Sequence, residues 1–438
     1  MKKLTAILLS AVLMLTLAAC SSEEENEAAK TDTDAVVETT EPVTEESTTS
    51  EKEPEDAFSE VTAVDNEYCK IEITEIKEDS FGTCLTVELE NKTEDTNLFF
   101  TAKTCCINGV AVVSLFGETV SAGKKAISTL TFLEDDLKKN GITKYTDIEL
   151  TFRVYDPDNW DKDDIAVEAV HIYPYGESNA EVYVREEKET DIKVFDNDKV
   201  SATVIGYGED GLSDYRVYLY LENKSDDTDY TFAVSGCAVN GVEISSGGVF
   251  IVPAGKAALN SFYITDSILE ENGITDFSDI YVSIRVYDPE SWDADDVADN
   301  GVRFYPVGKD NAVPFVREAK ATDKVIVDNE SITVIVTGMT EDGIIDTQSL
   351  CFYLINKTNE KIMFSMEDVS INDYMMDPFF AVSVMPGFSK FSSASWFNDE
   401  LNENGIESIE EISFTMLARN ADDSDSEDIL NEKVSYIP

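Results

Sequence analysis

The feature that most restricts the fold of this chain is a long internal repeat. Asn140-Gly141-Ile142 recurs as Asn272-Gly273-Ile274 and as Asn404-Gly405-Ile406, two steps of 132 residues each. LENKT from Leu89, LENKS from Leu221 and LINKT from Leu354 keep nearly the same period, as do Asn108-Gly109, Asn240-Gly241 and Asn372-Asp373. A period of this length exceeds solenoid units and equals a small domain, so each copy is expected to own a core. The chain divides into repeats at 61–190, 191–322 and 323–438, preceded by segments 1–20 and 21–60 of different character.

Within each copy the dominant period is two. Ile148, Leu150, Phe152 and Val154 alternate with Glu149, Thr151, Arg153 and Tyr155, and the same positions are apolar in Ile280, Val282, Ile284, Val286 and in Ile412, Phe414, Met416, Ala418. One buried face of a sheet requires this spacing. Leu85, Val87 and Leu89 repeat it, as do Val217, Leu219, Leu221 and Leu350, Phe352, Leu354, each row ending in a turn rich in Asn, Ser, Thr and Asp. One short helix interrupts the strands at FLEDDLKKNGI. Glu134, Asp135 and Asp136 stand at its positive end, Lys138 and Lys139 at its negative end, and Asn140 or Gly141 can supply the left-handed residue that stops it. Frequent short strands with one small helix predict an all-β fold: three tandem immunoglobulin-like antiparallel sandwiches. The joints GESNAEVYVREEKETD from Gly176 and GKDNAVPFVREAKATD from Gly308 are themselves repeats, which a loose linker does not need, so these segments are expected to pack.

The N-terminus is a secretory signal: Lys2 and Lys3 precede an apolar run from Leu4 to Ala19, too short to span a bilayer. Its end, Leu17-Ala18-Ala19-Cys20, resembles the bacterial lipobox, which implies lipidation at Cys20 and anchoring on the extracellular face of the cell membrane. Residues 21–60 hold 15 acidic residues against Lys30 and Lys52, a composition expected to stay disordered as a tether. The whole chain carries a formal charge of −56, which repels phosphate backbones and excludes nucleic acid as a partner. Divalent cations, basic partners, and a cell-envelope protein or glycan remain open.

Cys20 aside, the cysteines are Cys69, Cys84, Cys105, Cys106, Cys237 and Cys351, of which the last two are alone in their copies. They form no repeated staple. Cys105 and Cys237 stand where the third copy has Val369, the pattern of a small buried hydrophobe. The single histidine, His171, is matched by Arg303 and Ser435, so it belongs to no repeated site. No phosphate-cradling loop, zinc spacing or nucleophile elbow occurs, and the chain is read as non-enzymatic. Asn91-Lys92-Thr93 and its counterparts are formal sequons, read here as turns. Tyr155, Tyr218, Tyr220 and Tyr287 admit a sugar- or peptide-binding face as well as plain strand packing.

RVYDPDNWDKDDI from Arg153 recurs as RVYDPESWDADDV from Arg285, and as the eroded LARNADDSDSEDI from Leu417. The carboxylates of Asp156, Asp158, Asp161, Asp163 and Asp164, with Asp288, Asp293, Asp295 and Asp296, are the hard oxygens calcium takes, although the spacing is not that of an EF-hand. The structural alternative is that Asp-Pro ends a strand, Trp160 and Trp292 cover the end of the sandwich, and the acids cap a turn.

Together, the lipobox, the acidic Ser/Thr tether, the LENKT and NGV turns, the LxxNGI element and VYDPDNWDKDDI resemble the poorly characterised immunoglobulin-like repeats of Gram-positive surface lipoproteins. That resemblance implies a sandwich and surface exposure, and brings no catalytic residue or cofactor. The expected function is a surface lipoprotein presenting three modules as a binding or spacer rod. The alternative is an accessory lipoprotein that captures a glycan, peptide or calcium for a transporter or wall enzyme.

Overall fold

The alternating rows become strands in the computed structural model, which describes residues 58–438 except 80, 81, 160, 210–214, 246, 265, 266, 292, 379 and 424. The signal segment, Cys20, the tether to residue 57, Trp160 and Trp292 lie outside the described residues. Phe58 already packs on the first core, so the folded body begins before the expected boundary at 61.

The first copy contains β1 (Val61–Asp65), β2 (Cys69–Asp79), β3 (Gly82–Asn91), β4 (Leu98–Ile107), β5 (Val110–Ala111), β6 (Ser114–Leu115), β7 (Gly117–Val120), β8 (Lys125–Phe132), α1 (Asp135–Lys139), β9 (Ile148–Tyr155) and β10 (Ala166–Ile172). The second contains β11 (Ile192–Asp196), β12 (Val200–Glu209), β13 (Tyr215–Asn223), β14 (Tyr230–Val239), β15 (Val242–Ile244), β16 (Val249–Val252), β17 (Ala257–Ile264), α2 (Ser267–Glu271), β18 (Ile280–Tyr287) and β19 (Ala298–Phe304). The third contains β20 (Lys324–Asp328), β21 (Ile332–Asp342), β22 (Thr347–Asn356), β23 (Ile362–Ile371), β24 (Tyr374–Met375), β25 (Ala381–Val384), β26 (Ser389–Phe397), α3 (Asn398–Glu403), β27 (Ile412–Asn420) and β28 (Leu430–Tyr436).

Each copy is a two-sheet sandwich. In the first, β1-β2-β3-β8 faces β10-β9-β4, with β7 also on β4, and the connections cross between sheets as in immunoglobulin-like folds. Every apolar residue of the two alternating rows is buried in all three copies. The rows meet in three separate cores, one per copy, as the repeat requires.

The helix also forms three times. Leu137, Leu269 and Leu401 are buried, and the N–H of Ile142, Ile274 and Ile406 donates back to each of those leucine carbonyls at 3.0, 2.8 and 2.9 Å. Gly141, Gly273 and Gly405 take the positive φ that this stop needs. Glu134 does not cap the helix. Its buried carboxylate accepts the Tyr145 hydroxyl and pairs with Lys138. Burial pushes that carboxyl up, yet Lys138 and Tyr145 outweigh burial and hold it below the ordinary value.

The LENKT turn is a polar lock. The buried Asn91 donates to the carbonyls of Thr96 and Val120, both at 2.8 Å, while its Oδ1 accepts the Thr93 N–H and hydroxyl at 3.0 and 2.7 Å. Asn223 and Asn356 make the same four bonds in their own copies. These asparagines are structural, as their reading as turns anticipates. Asn91→Ala is expected to destabilise the first copy by about 2–4 kcal/mol, since it strands buried groups that water cannot reach. Denaturant unfolding checks this, and a loss below about 1 kcal/mol contradicts it.

Candidate functional site

The acidic segment follows β9, β18 and β27. Asp156 Oδ1 accepts the Asp158 N–H at 3.1 Å, Asp288 Oδ1 accepts the Glu290 N–H at 2.9 Å, and in the third copy Asn420 takes the Asp422 N–H at 2.8 Å. The turn therefore survives where Asp-Pro is lost, because asparagine offers the same acceptor. Asp164 and Asp296 each accept both arms of a bond from Nε of Arg153 and Arg285, at 2.9 and 2.8 Å. Lys162 reaches the second oxygen of Asp156 at 3.3 Å. Asp158, Asp161, Asp163, Asp293 and Asp295 point to solvent. Among the described residues no group of three His, Cys, Asp or Glu side chains stands close enough to share a metal ion.

The residues that come together across long sequence distances lie at the two joints instead. Each joint is built on an Asn-Gly turn. Asn108 Nδ2 donates to the Lys144 carbonyl at 2.8 Å, and its Oδ1 accepts from Thr146 and Asp147, which fixes the turn to its own sandwich. The Asn108 carbonyl accepts the N–H of Tyr183 at 2.9 Å, from the joint segment. The next carbonyl, on Gly109, accepts the N–H of Ala257 at 3.1 Å, from the following copy. Asn240 and Gly241 repeat both bonds, to Phe315 at 2.8 Å and to Ser389 at 3.0 Å.

These bonds fuse sheets between copies. β5 runs parallel to β17, pairing Val110 with Ala257 and Ala111 with Ala258, so one sheet of the first copy continues into one sheet of the second, in the order β10-β9-β4-β5-β17-β13-β12-β11. β15 runs parallel to β26 and fuses the second copy to the third in the same way, Val242 opposite Ser389 and Glu243 opposite Lys390. The joint segments pack as their repetition predicts. Arg185 grips Asp191 at 2.6 and 2.7 Å and Arg317 grips Asp323 at 2.7 and 2.8 Å, with the four side chains only 6–10% exposed. The guanidiniums also lie over Tyr220 and Tyr353.

The two joints share a backbone but differ in chemistry. At the first, Lys256 pairs with Glu149, and His171 Nδ1 lies 2.8 Å from Asp147 Oδ1 while its ring stacks on Tyr173. Burial, with Glu149 nearby, pushes the Cys106 thiol up to about 12, so it stays protonated and unreactive. At the second joint Phe388 replaces Lys256, packs at a tilt on Tyr281 with ring centroids 5.1 Å apart, and lies under Arg303. Here Glu243 takes the charged role, 3.5 Å from Lys390, and burial raises its carboxyl. None of the six described cysteines forms a disulfide.

Beside the first joint lies a cleft with two adjoining cavities of about 250 and 300 Å³ that share Ala111, Val112, Val113 and Asn260. Exposed Val113, Leu133, Val249 and Ile251 line it, together with Arg216, whose guanidinium stacks over Tyr218 and Tyr263. No part of the sequence signals this cleft, because its walls come from two copies. Tyr155, Tyr220 and Tyr287 each stack with an arginine, and Tyr218 with Arg216 and Lys139. No family model matches the chain, and no curated protein matches it.

The Arg–Asp grips titrate. The Arg185 guanidinium holds Asp191 below the ordinary carboxylate value of 3.8, and Arg317 does the same to Asp323. A depressed carboxyl contributes stability that is complete above its unfolded value and is lost as the pH falls through the folded one. Pepsin is therefore expected to spare residues 183–190 and 315–322 until the pH falls below 3.8. Arg185→Ala should open the first joint to a protease even at neutral pH, and equal protection of that variant would contradict the assignment.

Proposed function

We propose that the chain is a non-enzymatic surface lipoprotein, anchored through Cys20 on the extracellular face of the cell membrane, whose three sandwiches act as one stiff display arm. The observation that carries this reading is the double joint. A flexible linker between domains leaves orientation free, whereas here strand pairing, a buried ion pair and an aromatic contact fix each neighbour, and the same set is built twice. Such an arm holds a surface at a set distance and angle from its anchor. The cleft beside the first joint is the surface it presents, which favours as a second reading the capture of an envelope peptide or glycan there.

The non-catalytic reading draws on the surroundings of the single histidine. His171 faces carboxylates rather than a thiol or hydroxyl. The resemblance to surface lipoprotein repeats and the lipobox at Cys20 support the address.

Spin labels at Tyr68→Cys and Ile344→Cys, both at exposed sites in the first and third copies, test the stiffness. A single narrow distance distribution is expected; a broad one would remove the arm. In cells, Cys20→Ala should move the chain from the membrane to the medium, and retention of the variant would refute the anchor.

A further inference from the structure

The joint has two halves, and each end of the chain of sandwiches leaves one half open. The donor half is the Asn-Gly turn and the strand after it. The acceptor half is the start of β17 or β26. Among the described residues, no strand pairs with the start of β8 in the first copy as β5 pairs with β17, and none pairs with β24 in the third copy as β26 pairs with β15. We infer that β24 of one molecule pairs with β8 of a second copy of this chain, in the geometry of the internal joints.

Backbone shape supports this first. Asn372 and Asp373 have φ of 48° and 71°, against 52° and 79° for Asn108 and Gly109 and 51° and 88° for Asn240 and Gly241. The donor turn of the third copy is thus already set, although Asp373 pays the strain that glycine avoids. Among the described residues neither of its carbonyls receives the bonds that the internal turns receive.

Exposure is the second support. Ile127 stands where Leu259 stands in the second copy; Leu259 is 4% exposed and packs into the core of the first copy, whereas Ile127 is 73% exposed. Tyr374 and Met375, at 52% and 67% exposed, stand where Val242 and Glu243 are buried. Of these positions, the one that an internal joint covers with a neighbouring copy's core is that of Leu259, whereas Val242 packs in its own copy.

Complementarity is the third. The internal register, Val110 with Ala257 and Ala111 with Ala258, places Tyr374 opposite Lys125 and Met375 opposite Ala126. Each facing pair at the second position is compatible: Ala111 with Ala258, Glu243 with Lys390, and Met375 with Ala126. Lys124 stands in the place of Lys256, whose partner Glu149 is matched by Ser413, so the ion pair of the first joint has no counterpart here, as it has none at the second joint, where Phe388 replaces the lysine.

The contact between copies is weaker than the internal joints. Glu88 replaces the tyrosine that receives Arg185 or Arg317, and the net charge of −56 repels a second copy, so added salt strengthens the pairing. Because donor and acceptor faces differ, the contact is head-to-tail and extends to chains of molecules.

The test uses the full chain and a short bismaleimide crosslinker. Met375→Cys and Ala126→Cys, each alone, should give monomer; mixed, they should give a one-to-one dimer; both in one chain should give a ladder. Adding Ile127→Asp, at an exposed position that the fold does not need, should cut the dimer about tenfold. Failure to crosslink in the mixture at high salt, or a dimer from either single variant, overturns the inference.

Discussion

The arrangement of this molecule depends on two successive carbonyls in an Asn-Gly turn. In the first copy the turn residue Asn108 spends its side chain on its own sandwich and its carbonyl on the joint segment, and Gly109 spends its carbonyl on the next sandwich. Three bodies are thereby fixed at one point. Asparagine tolerates the left-handed backbone there while its side chain bonds locally, and glycine adopts a second positive φ without strain. Because the turn is rigid, the short parallel pairing beside it can be placed, and two residues of strand suffice to continue a sheet.

From that point the rest follows by packing. Leu259 of the second copy enters the first core, Ala238 of the second enters the third, and each joint segment is held flat by a buried arginine–aspartate pair over a tyrosine. A buried ion pair alone is weak evidence for stability, since desolvation offsets most of its attraction. Its use here is orientation: a bidentate fork has one geometry, and it closes the same loop twice.

The sandwich was legible in the sequence because burial on one face of a strand imposes a period of two, and three copies gave three independent readings of Ile148 to Val154 and Leu85 to Leu89. The helix stop at Gly141 and the turn at Asn91 were legible for the same reason: each needs a residue type that backbone geometry dictates. The sheet fusion was not. Its strand residues, Val110, Ala257, Val242 and Ser389, bond through backbone atoms, which every residue but proline supplies alike. The repeated joints signalled that something packs there without saying against what. The acidic segment was legible as a turn through Asp156 and Asp288, while the ion pairs of Asp164 and Asp296 depend on strand register and emerge only in three dimensions. Glu134 looked like a helix-end charge and proved to be a buried partner of Tyr145.

The claim that two turn carbonyls carry the inter-copy order is tested most directly by hydrogen exchange at the amides of Ala257 and Ser389. Protection there equal to that of β9 and β18, which form the sandwich interiors, is the result expected for a continuous sheet. Exchange at both amides as fast as that of an open loop would mean that the copies are merely adjacent, and the account would fall.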